Sequence, residues 1–460
     1  MKLQQAFEVS KGEVVAFTGA GGKTAALVGL GYELHEMGWR VLATTTVPMD
    51  EHQLALFPYA LSYHAGWHAI SAALGTHGFV FLYNTIKQGM VMGLPLDKLP
   101  SLLDNLDSDV LLVEADQAAG LPFKAPLDAE PLIPHETSLV IPVTSLSALG
   151  QTLDSAHVYH PQSMIERFGF YPGSKIRLPW VAQVLRDETM GLKGIPDGAR
   201  VMAFVNQTPD KGYMKTRARQ IAKLALRSPR FTGVALGSVR NANPILEVHR
   251  PIGAVVLAAG QSSRMGQPKM LLPWADGKTI IEHIVEQLVM ARIDEIVVVT
   301  GHYSTEVRER VQPFGVKIAF NRAYKTGEML SSLQTGLRAM SDHIAASLIV
   351  LGDQPQMQPR VLYRLLKTYA EGAGQILIPS YQMKRGHPIL LGRQYWHEML
   401  QLEGDASPRQ VMDAHADKIH HVVVDTDTIL HDVDTPSDYR AARRRAGLPD
   451  APPHRSDAES

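Results

Sequence analysis

The chain has 460 residues, too many for one ordinary hydrophobic core, so two or three domains are expected. Apolar residues make up 45% and charged residues 20%, the balance of a globular protein rather than a disordered or fibrous one. With 45 Lys and Arg against 46 Asp and Glu there is no global field for nucleic acid or an anionic membrane, and the absence of cysteine removes disulfides, thiolate nucleophiles, iron–sulfur clusters and cysteine zinc sites.

The opening MKLQQAFEVSKGEVV lacks the basic region, apolar stretch and cleavage site of a signal peptide, so a cytoplasmic protein is expected. No run approaches the ~18 uninterrupted apolar residues of a membrane span. Short runs rich in β-branched residues alternate with amphipathic stretches, the pattern of α/β layers. Strands are expected at 13–18, 40–45, 110–115, 139–143 and 201–205, then a helix over 213–227 and a strand at 232–236. The turn residues of 237–244 lack apolar periodicity, and a fresh strand starts at Ile252. The domain boundary is therefore expected near 248, giving domains 1–247 and 248–447 and a disordered tail at 448–460. In the second domain strands are expected at 254–258, 295–300, 316–320, 348–351, 376–379 and 421–424. Both domains are read as doubly wound, mostly parallel sheets, P-loop-like in the first and Rossmann-like in the second. That architecture puts ligands beyond the C-terminal ends of the strands.

In the first domain a strand runs into Gly19-Ala20-Gly21-Gly22-Lys23-Thr24 and a helix start. The Gly-Lys-Thr ending is that of a P-loop, in which backbone N–H groups and Lys23 hold phosphates while Thr24 reaches magnesium. The spacing departs from GxxxxGK(S/T), because Phe17 stands five before Gly22, and a tight structural turn is the competing reading. Val110-Leu111-Leu112-Val113-Glu114-Ala115-Asp116 is an apolar strand ending in carboxylates, like a Walker-B element that would complete a magnesium site with Thr24. Thr44-Thr45-Thr46 ends a strand at the same sheet edge. Asn206-Gln207-Thr208-Pro209-Asp210 partly resembles the guanine-reading Asn-Lys-x-Asp of GTPases, with Gln207 in place of Lys. Together with Lys124-Ala125-Pro126 and Glu130-Pro131-Leu132-Ile133-Pro134, these residues resemble the YqeC-like family, described as accessory proteins of selenium-dependent molybdenum hydroxylases. The resemblance implies nucleotide binding by Gly19, Gly21, Gly22, Lys23, Thr24 and Asp116, and an apo molybdenum hydroxylase as partner. The family commonly has Gly after Glu-Ala-Asp; here Gln117 sets a bulkier side chain beside the phosphate site.

The second domain opens with a strand running into Leu257-Ala258-Ala259-Gly260-Gln261-Ser262-Ser263-Arg264-Met265-Gly266-Gln267-Pro268-Lys269. Small residues let backbone N–H groups approach phosphates, and Arg264 and Lys269 supply charge for a leaving pyrophosphate; the bland alternative is a βα turn with two solvated cations. Further on, 347–352 ends as a buried strand in Asp353, where a hard cation needs a carboxylate oxygen. His431-Asp432-Val433-Asp434-Thr435-Pro436 reads as a helix start capped by Asp or Thr, with Pro in the first turn. Ser331 and Ser332 either cap a helix or line a pocket.

The thirteen positions from Leu257 to Lys269 resemble the complete signature of the MobA-like nucleotidyltransferase superfamily, LAAGxSxRMGxxK. The resemblance implies a nucleotide site built from Leu257, Ala258, Ala259, Gly260, Ser262, Gly266, Ser332 and Gly352, with Arg264 and Lys269 as catalytic cations. It implies Mg2+ on Asp353 and Asp434, and leaves Asp432 as ligand, supporting partner or turn residue. Gly386-His387-Pro388 resembles the acceptor side of the molybdenum cofactor cytidylyltransferase branch. Related guanylyltransferases read LAGG, so Ala259 implies CTP as substrate, while Gly352-Asp353-Gln354-Pro355, Gly386-His387-Pro388 and Asp434-Thr435-Pro436 together resemble the molybdenum branch and imply the molybdenum cofactor (molybdopterin) as acceptor. In 327–333 Glu328 interrupts the family's Gly-Met…Ser-Ser-Leu loop. The expected activity is transfer of CMP to the molybdenum cofactor with release of pyrophosphate. The alternatives are a non-catalytic carrier or insertion chaperone for that cofactor, and a nucleotidyltransferase acting on a sugar or polyol phosphate.

Overall fold

A computed structural model describes residues 1–449 apart from Ser263, Gly327 and Asp405. The chain divides into two compact units, Met1–His249 and the remainder from Arg250. Among the described residues no helix is long and apolar enough to cross a membrane.

The first unit is built on a sheet whose spatial order is Ile245–His249, Phe231–Gly237, Arg200–Asn206, Leu139–Ser145, Glu13–Gly19, Val110–Glu114, Val41–Thr45, Phe79–Tyr83 and Ala60–Ser62. Its inner strands are buried along nearly their whole length, as parallel strands covered on both faces must be. Every pairing is parallel except the first, where the edge strand Ile245–His249 runs antiparallel to Phe231–Gly237. The turn-rich 237–244 is therefore a hairpin inside the first unit, not a linker, and the expected boundary near 248 falls within its edge strand. That strand carries the buried Glu247, whose carboxylate takes Lys215 at 2.9 Å, His249 at 2.9 Å and Arg219, tying it to the helix Tyr213–Ala225. The helix stops two residues short of the expected 227.

The second unit has the order Lys317–Phe320, Glu295–Thr300, Ile252–Ala258, Ala346–Leu351, Ile389–Gly392, Ile376–Tyr381 and Lys384–Arg385, with Ile419–Val423 also pairing Ile376–Tyr381. The first four strands are mutually parallel, and Ile389–Gly392 enters antiparallel between Ala346–Leu351 and Ile376–Tyr381. Both units are thus α/β with mostly parallel sheets. In the second unit the parallel order brings the ends of Ile252–Ala258 and Ala346–Leu351 side by side, joined where the Gly352 N–H donates to the Leu257 carbonyl at 3.1 Å.

The helix Pro436–Arg445 closes this unit. Its buried Arg443 donates to the carbonyls of Pro273 at 2.8 Å and Trp274 at 2.7 Å, and the Tyr439 hydroxyl also donates to Pro273. Arg443 reaches on to the Pro449 carbonyl at 2.7 Å, and the Leu448 N–H donates to the Arg443 carbonyl. Residues 448 and 449 are therefore fixed by hydrogen bonds, contrary to the expected tail; 450–460 lie outside the described residues.

Candidate functional site

In the second unit the Lys269 ammonium donates to Asp353 Oδ2 at 2.5 Å and Asp434 Oδ1 at 3.2 Å, while Arg264 pairs with Asp434 Oδ2 at 3.0 Å. Four residues spread over 171 positions of sequence thus meet at one sheet edge. The local reasons are separable. Asp353 lies in the turn two residues past the strand Ala346–Leu351. Its carbonyl accepts from the Val433 N–H at 2.9 Å, which fastens the 432–434 segment alongside. Thr435, not Asp434, caps the last helix in a capping box with Asp438, so Asp434 keeps its carboxylate for the site. Asp432 accepts from the Gln354 amide at 2.6 Å and is a bracing partner.

Burial pushes the Asp353 carboxyl up from its ordinary value, opposed by Lys269. Burial alone would lower the Lys269 pKa, but the Asp353 and Asp434 carboxylates outweigh it and raise it. The lysine stays protonated. Arg264 is the exposed partner, its side chain 71% accessible against 12% for Lys269, so solvent screening leaves its pairing the weaker.

The glycines of this loop differ in meaning. A Cβ at Gly352 would stand 2.7 Å from the Leu257 carbonyl, so close packing explains it. A Cβ at Gly260 would meet nothing within 4 Å among the described residues, and its φ lies outside the left-handed region. Neither packing nor backbone conformation requires glycine there. Gly266 does have a positive φ of 70°, and Ser262 accepts from the Lys269 N–H at 3.2 Å, shaping the turn that delivers the lysine. Leu257 and Ala258 are buried at the strand end; Ala259 is 5% exposed and packs in an apolar cluster with Leu330 and Leu333. Ser331 and Ser332 lie inside the helix Glu328–Ala339 and accept from the Asn321 side chain at 2.8 and 3.0 Å. The capping alternative fails because that helix starts before them, and the Ser332 hydroxyl is buried against Asn321.

Gly386 is packed against Ile429, where a Cβ would come within 2.3 Å of its carbonyl, and the His387 N–H donates to the same carbonyl at 3.1 Å. The His387–Pro388 peptide bond is cis. Burial pushes the His387 imidazole down to about 4, with the Asp353 charge acting in the opposite sense. At neutral pH the ring is uncharged, so it can exchange hydrogen bonds but cannot neutralise a phosphate.

In the first unit the loop after Glu13–Gly19 has three positive-φ glycines, and each is closely packed. A Cβ would meet the Val143 carbonyl at Gly19, the Ser145 side chain at Gly21 and the Asn206 amide at Gly22, all within 2.4 Å. The Asn206 amide donates to the Gly21 carbonyl at 2.8 Å and its oxygen accepts from the Gln207 and Val239 N–H groups. Asn206 is a loop brace rather than a base reader. The hydroxyls of Thr44, Thr45 and Thr46 go to the backbone carbonyls of Leu82, Val47 and Leu132. Gln117 turns its amide to the Pro48 carbonyl at 2.9 Å.

The carboxylate beside Thr24 is Glu114, not Asp116. Thr24 donates to Glu114 Oε2 at 2.8 Å, whereas Asp116 accepts from the Gly19 N–H at 2.9 Å and pairs with the buried Lys124. The strand ends at Glu114, which points it along the sheet edge toward the helix start, and Asp116 lies past the turn. Lys124 also takes Glu130 at 3.0 Å, which explains why the Lys-Ala-Pro and Glu-Pro segments belong together.

A YqeC protein model matches residues 15–162, and a MobA-like NTP transferase domain model matches 254–419. The uncharacterized protein YqeC of Escherichia coli K12 is 31% identical over 200 residues, 42% of this chain and 75% of that protein. The molybdenum cofactor cytidylyltransferase of the same organism is 29% identical over 198 residues, 42% of this chain and 96% of the relative. Among solved structures, Rv0371c from Mycobacterium tuberculosis H37Rv is 29% identical, with 42% of this chain and 97% of that one covered at a TM-score of 0.39. The chain belongs to the YqeC family through its first unit and carries, in its second, a nucleotidyltransferase domain of the MobA-like NTP transferase family.

Proposed function

We propose that the second unit transfers CMP from CTP to the molybdenum cofactor with release of pyrophosphate, and that the first unit is a nucleotide-binding accessory domain serving maturation of a molybdenum hydroxylase. The observation that carries this reading is the convergence of Lys269, Arg264, Asp353 and Asp434 beside a glycine, Gly260, that packing does not require.

Two carboxylates already gathered on one cation suit Mg2+, which takes one or two protein carboxylates and fills its other positions with water and substrate phosphates. Asp353 and Asp434 would hold it, and when bound it supplies Lewis-acid neutralisation of the phosphates. The residues of the chain do the rest. The open space at Gly260 admits a phosphate close to the backbone. An acceptor phosphate attacks the α-phosphorus, the bond to the β-phosphate oxygen breaks, and pyrophosphate leaves in line. The acceptor is already ionised, so no general base is required. Lys269 and Arg264 face the charge that builds on the leaving group. Neutral His387 offers a hydrogen bond to the acceptor without drawing the pyrophosphate toward it. Support for CTP comes from the Ala-Ala-Gly sequence of the loop and from the relative that is itself a cytidylyltransferase. Since the Ala259 methyl is packed in the core, it acts on the base through the path of the loop backbone.

The test is incubation with molybdenum cofactor, Mg2+ and either CTP or GTP, following pyrophosphate and the dinucleotide product. Product with CTP that is lost in Asp353→Ala is expected. Cofactor binding without pyrophosphate under either condition would replace the enzyme by a carrier, and turnover with a sugar phosphate alone would replace the acceptor.

A further inference from the structure

Two buried hydroxyls of the first unit, those of Thr18 and Thr144, have no hydrogen-bond partner among the described residues. Both residues are 3% exposed. An unpaired polar group in the interior costs more than a paired one returns, so each such group calls for a cause. Thr18 stands opposite Pro142 where Glu13–Gly19 pairs with Leu139–Ser145, and Thr144 is two residues on, so both side chains lie on one face of the sheet. There they share a cavity of about 30 Å³, closed by the segment after Asp116 and by the helix Leu178–Leu185. Phe123, Pro142, Val184 and Leu185 make most of its wall apolar, and Asp116 and Lys124 supply the remaining polar edge.

The charge beside the cavity is unbalanced. Lys124 spends its three donors on Asp116, on Glu130 at 3.0 Å and on the Gln117 carbonyl at 2.5 Å. Two carboxylates thus share one ammonium, with side-chain exposures of 4% for Asp116 and 9% for Glu130. Asp116 also accepts from the Gly19 N–H at 2.9 Å, and a carboxylate has about four acceptor positions, so it can take roughly two more donors. The size of the cavity narrows what can donate. It lies far below the roughly 300 Å³ at which pockets begin to hold small organic molecules, yet has room for about two waters. A bare cation there would face the Lys124 ammonium, and a bare anion the two carboxylates. Buried water needs about two to four polar partners, and here it can accept from the hydroxyls of Thr18 and Thr144 and donate to Asp116.

We infer that the first unit binds a pair of ordered waters in this cavity, hydrogen-bonded to Thr18, Thr144 and Asp116, and that through them two sheet strands hold the carboxylate that fixes the Gly19 N–H. Thr18 and Thr144 are then positioning residues for the loop that begins at Gly19, acting from behind it. The inference stands whether or not a nucleotide occupies the front of that loop.

The test uses the full chain, first as crystals with and without pressurised xenon. Density for two waters in contact with Thr18, Thr144 and Asp116 is expected, and no xenon. Xenon in the cavity, as dry apolar cavities take it, would overturn the proposal whatever any variant does. Thr18→Val and Thr144→Val then remove one hydroxyl each at nearly constant shape. Around a hydrated cavity each strips a partner from water, and Tm should fall by about 2–4 °C. A rise in Tm would mean that an unpaired hydroxyl had been removed from a dry site, and would again overturn it. The positioning role is read from amide hydrogen exchange. In both variants the Gly19 amide should exchange about tenfold faster or more, relative to the Phe17 amide of the same strand, which reports global opening. Gly19 and Phe17 shifting together would leave the waters in place and overturn their hold on the loop.

Discussion

Replacing Lys269 by methionine keeps the length of the side chain and removes the ammonium that bridges Asp353 and Asp434. Exposed ion pairs contribute roughly 0–1 kcal/mol, and breaking buried ones costs roughly 3–5 kcal/mol. With side-chain exposures of 12% for Lys269, 19% for Asp353 and 31% for Asp434, the loss should fall between, at about 2 kcal/mol. For a unit of about 200 residues that lowers Tm by about 4–8 °C. Asp353 then lacks a cation and Asp434 keeps only the exposed Arg264, so a divalent ion gains much of what the ammonium lost. At a hundredfold excess over its Kd it would return about 2.7 kcal/mol. The assay is thermal unfolding of parent and variant with and without Mg2+, beside pyrophosphate release. The variant should melt lower, respond more strongly to Mg2+, and lose roughly 10²–10³ in kcat/KM. An unchanged Tm with an unchanged metal response would refute the shared-carboxylate argument, and unchanged turnover would take Lys269 off the leaving group.

Three further outcomes follow from the same geometry. Gly260→Ala should leave stability within about 0.5 kcal/mol, because its Cβ meets nothing, yet raise KM for the triphosphate; a large fall in Tm with normal KM would make this glycine structural. Thr435→Ala removes the capping box that leaves Asp434 free, which should cost about 1 kcal/mol and reduce turnover through the displaced carboxylate, measured by denaturant unfolding and initial rates. His387 titrates near 4 when folded and near 6.5 when unfolded, so below about pH 6.5 the unfolded chain binds the extra proton and stability falls until pH reaches about 4, by roughly 3 kcal/mol in all. His387→Gln should flatten that part of the curve, and equal slopes for the two proteins between pH 4 and 6.5 would refute the buried-neutral assignment.

The loop from Leu257 to Lys269 was legible because its chemistry is local: a buried strand, small residues and two cations within thirteen positions. Asp353 was legible as a carboxylate beyond a buried strand, although the strand itself stops at Leu351 and Asp353 lies in the turn after it. The partnership of Asp434 with Lys269 crosses 165 residues and depends on Thr435 taking the cap, which sequence left open between the two. In the first unit Glu114 and Asp116 stand two apart, so only the residue at which the strand stops decides which of them faces Thr24. Gly19, Gly21 and Gly22 look like ligand contacts in sequence, but packing against Val143 and Ser145 demands the first two and a positive φ suits glycine at the third. Four-residue Ile389–Gly392 was missed because it follows directly on Gly-His-Pro and is too short to show a period. Ile245–His249 was missed because a hairpin turn and a linker have the same composition.

The clasp of Arg443 and Tyr439 on the Pro273–Trp274 carbonyls has a consequence for biosynthesis. The segment that carries Asp434 is held by the helix made last in this unit, while the loop that carries Lys269 is made some 165 residues earlier. At translation rates of about 5–20 residues per second, the early loop waits roughly ten to thirty seconds for its second carboxylate. A ribosome that stalls, or a protease that clips before Pro436, therefore leaves a unit with most of its sheet but no clasped carboxylate pair. Until that helix is made, nothing clasps Asp434 beside Lys269, so products that stop short of it should be inert.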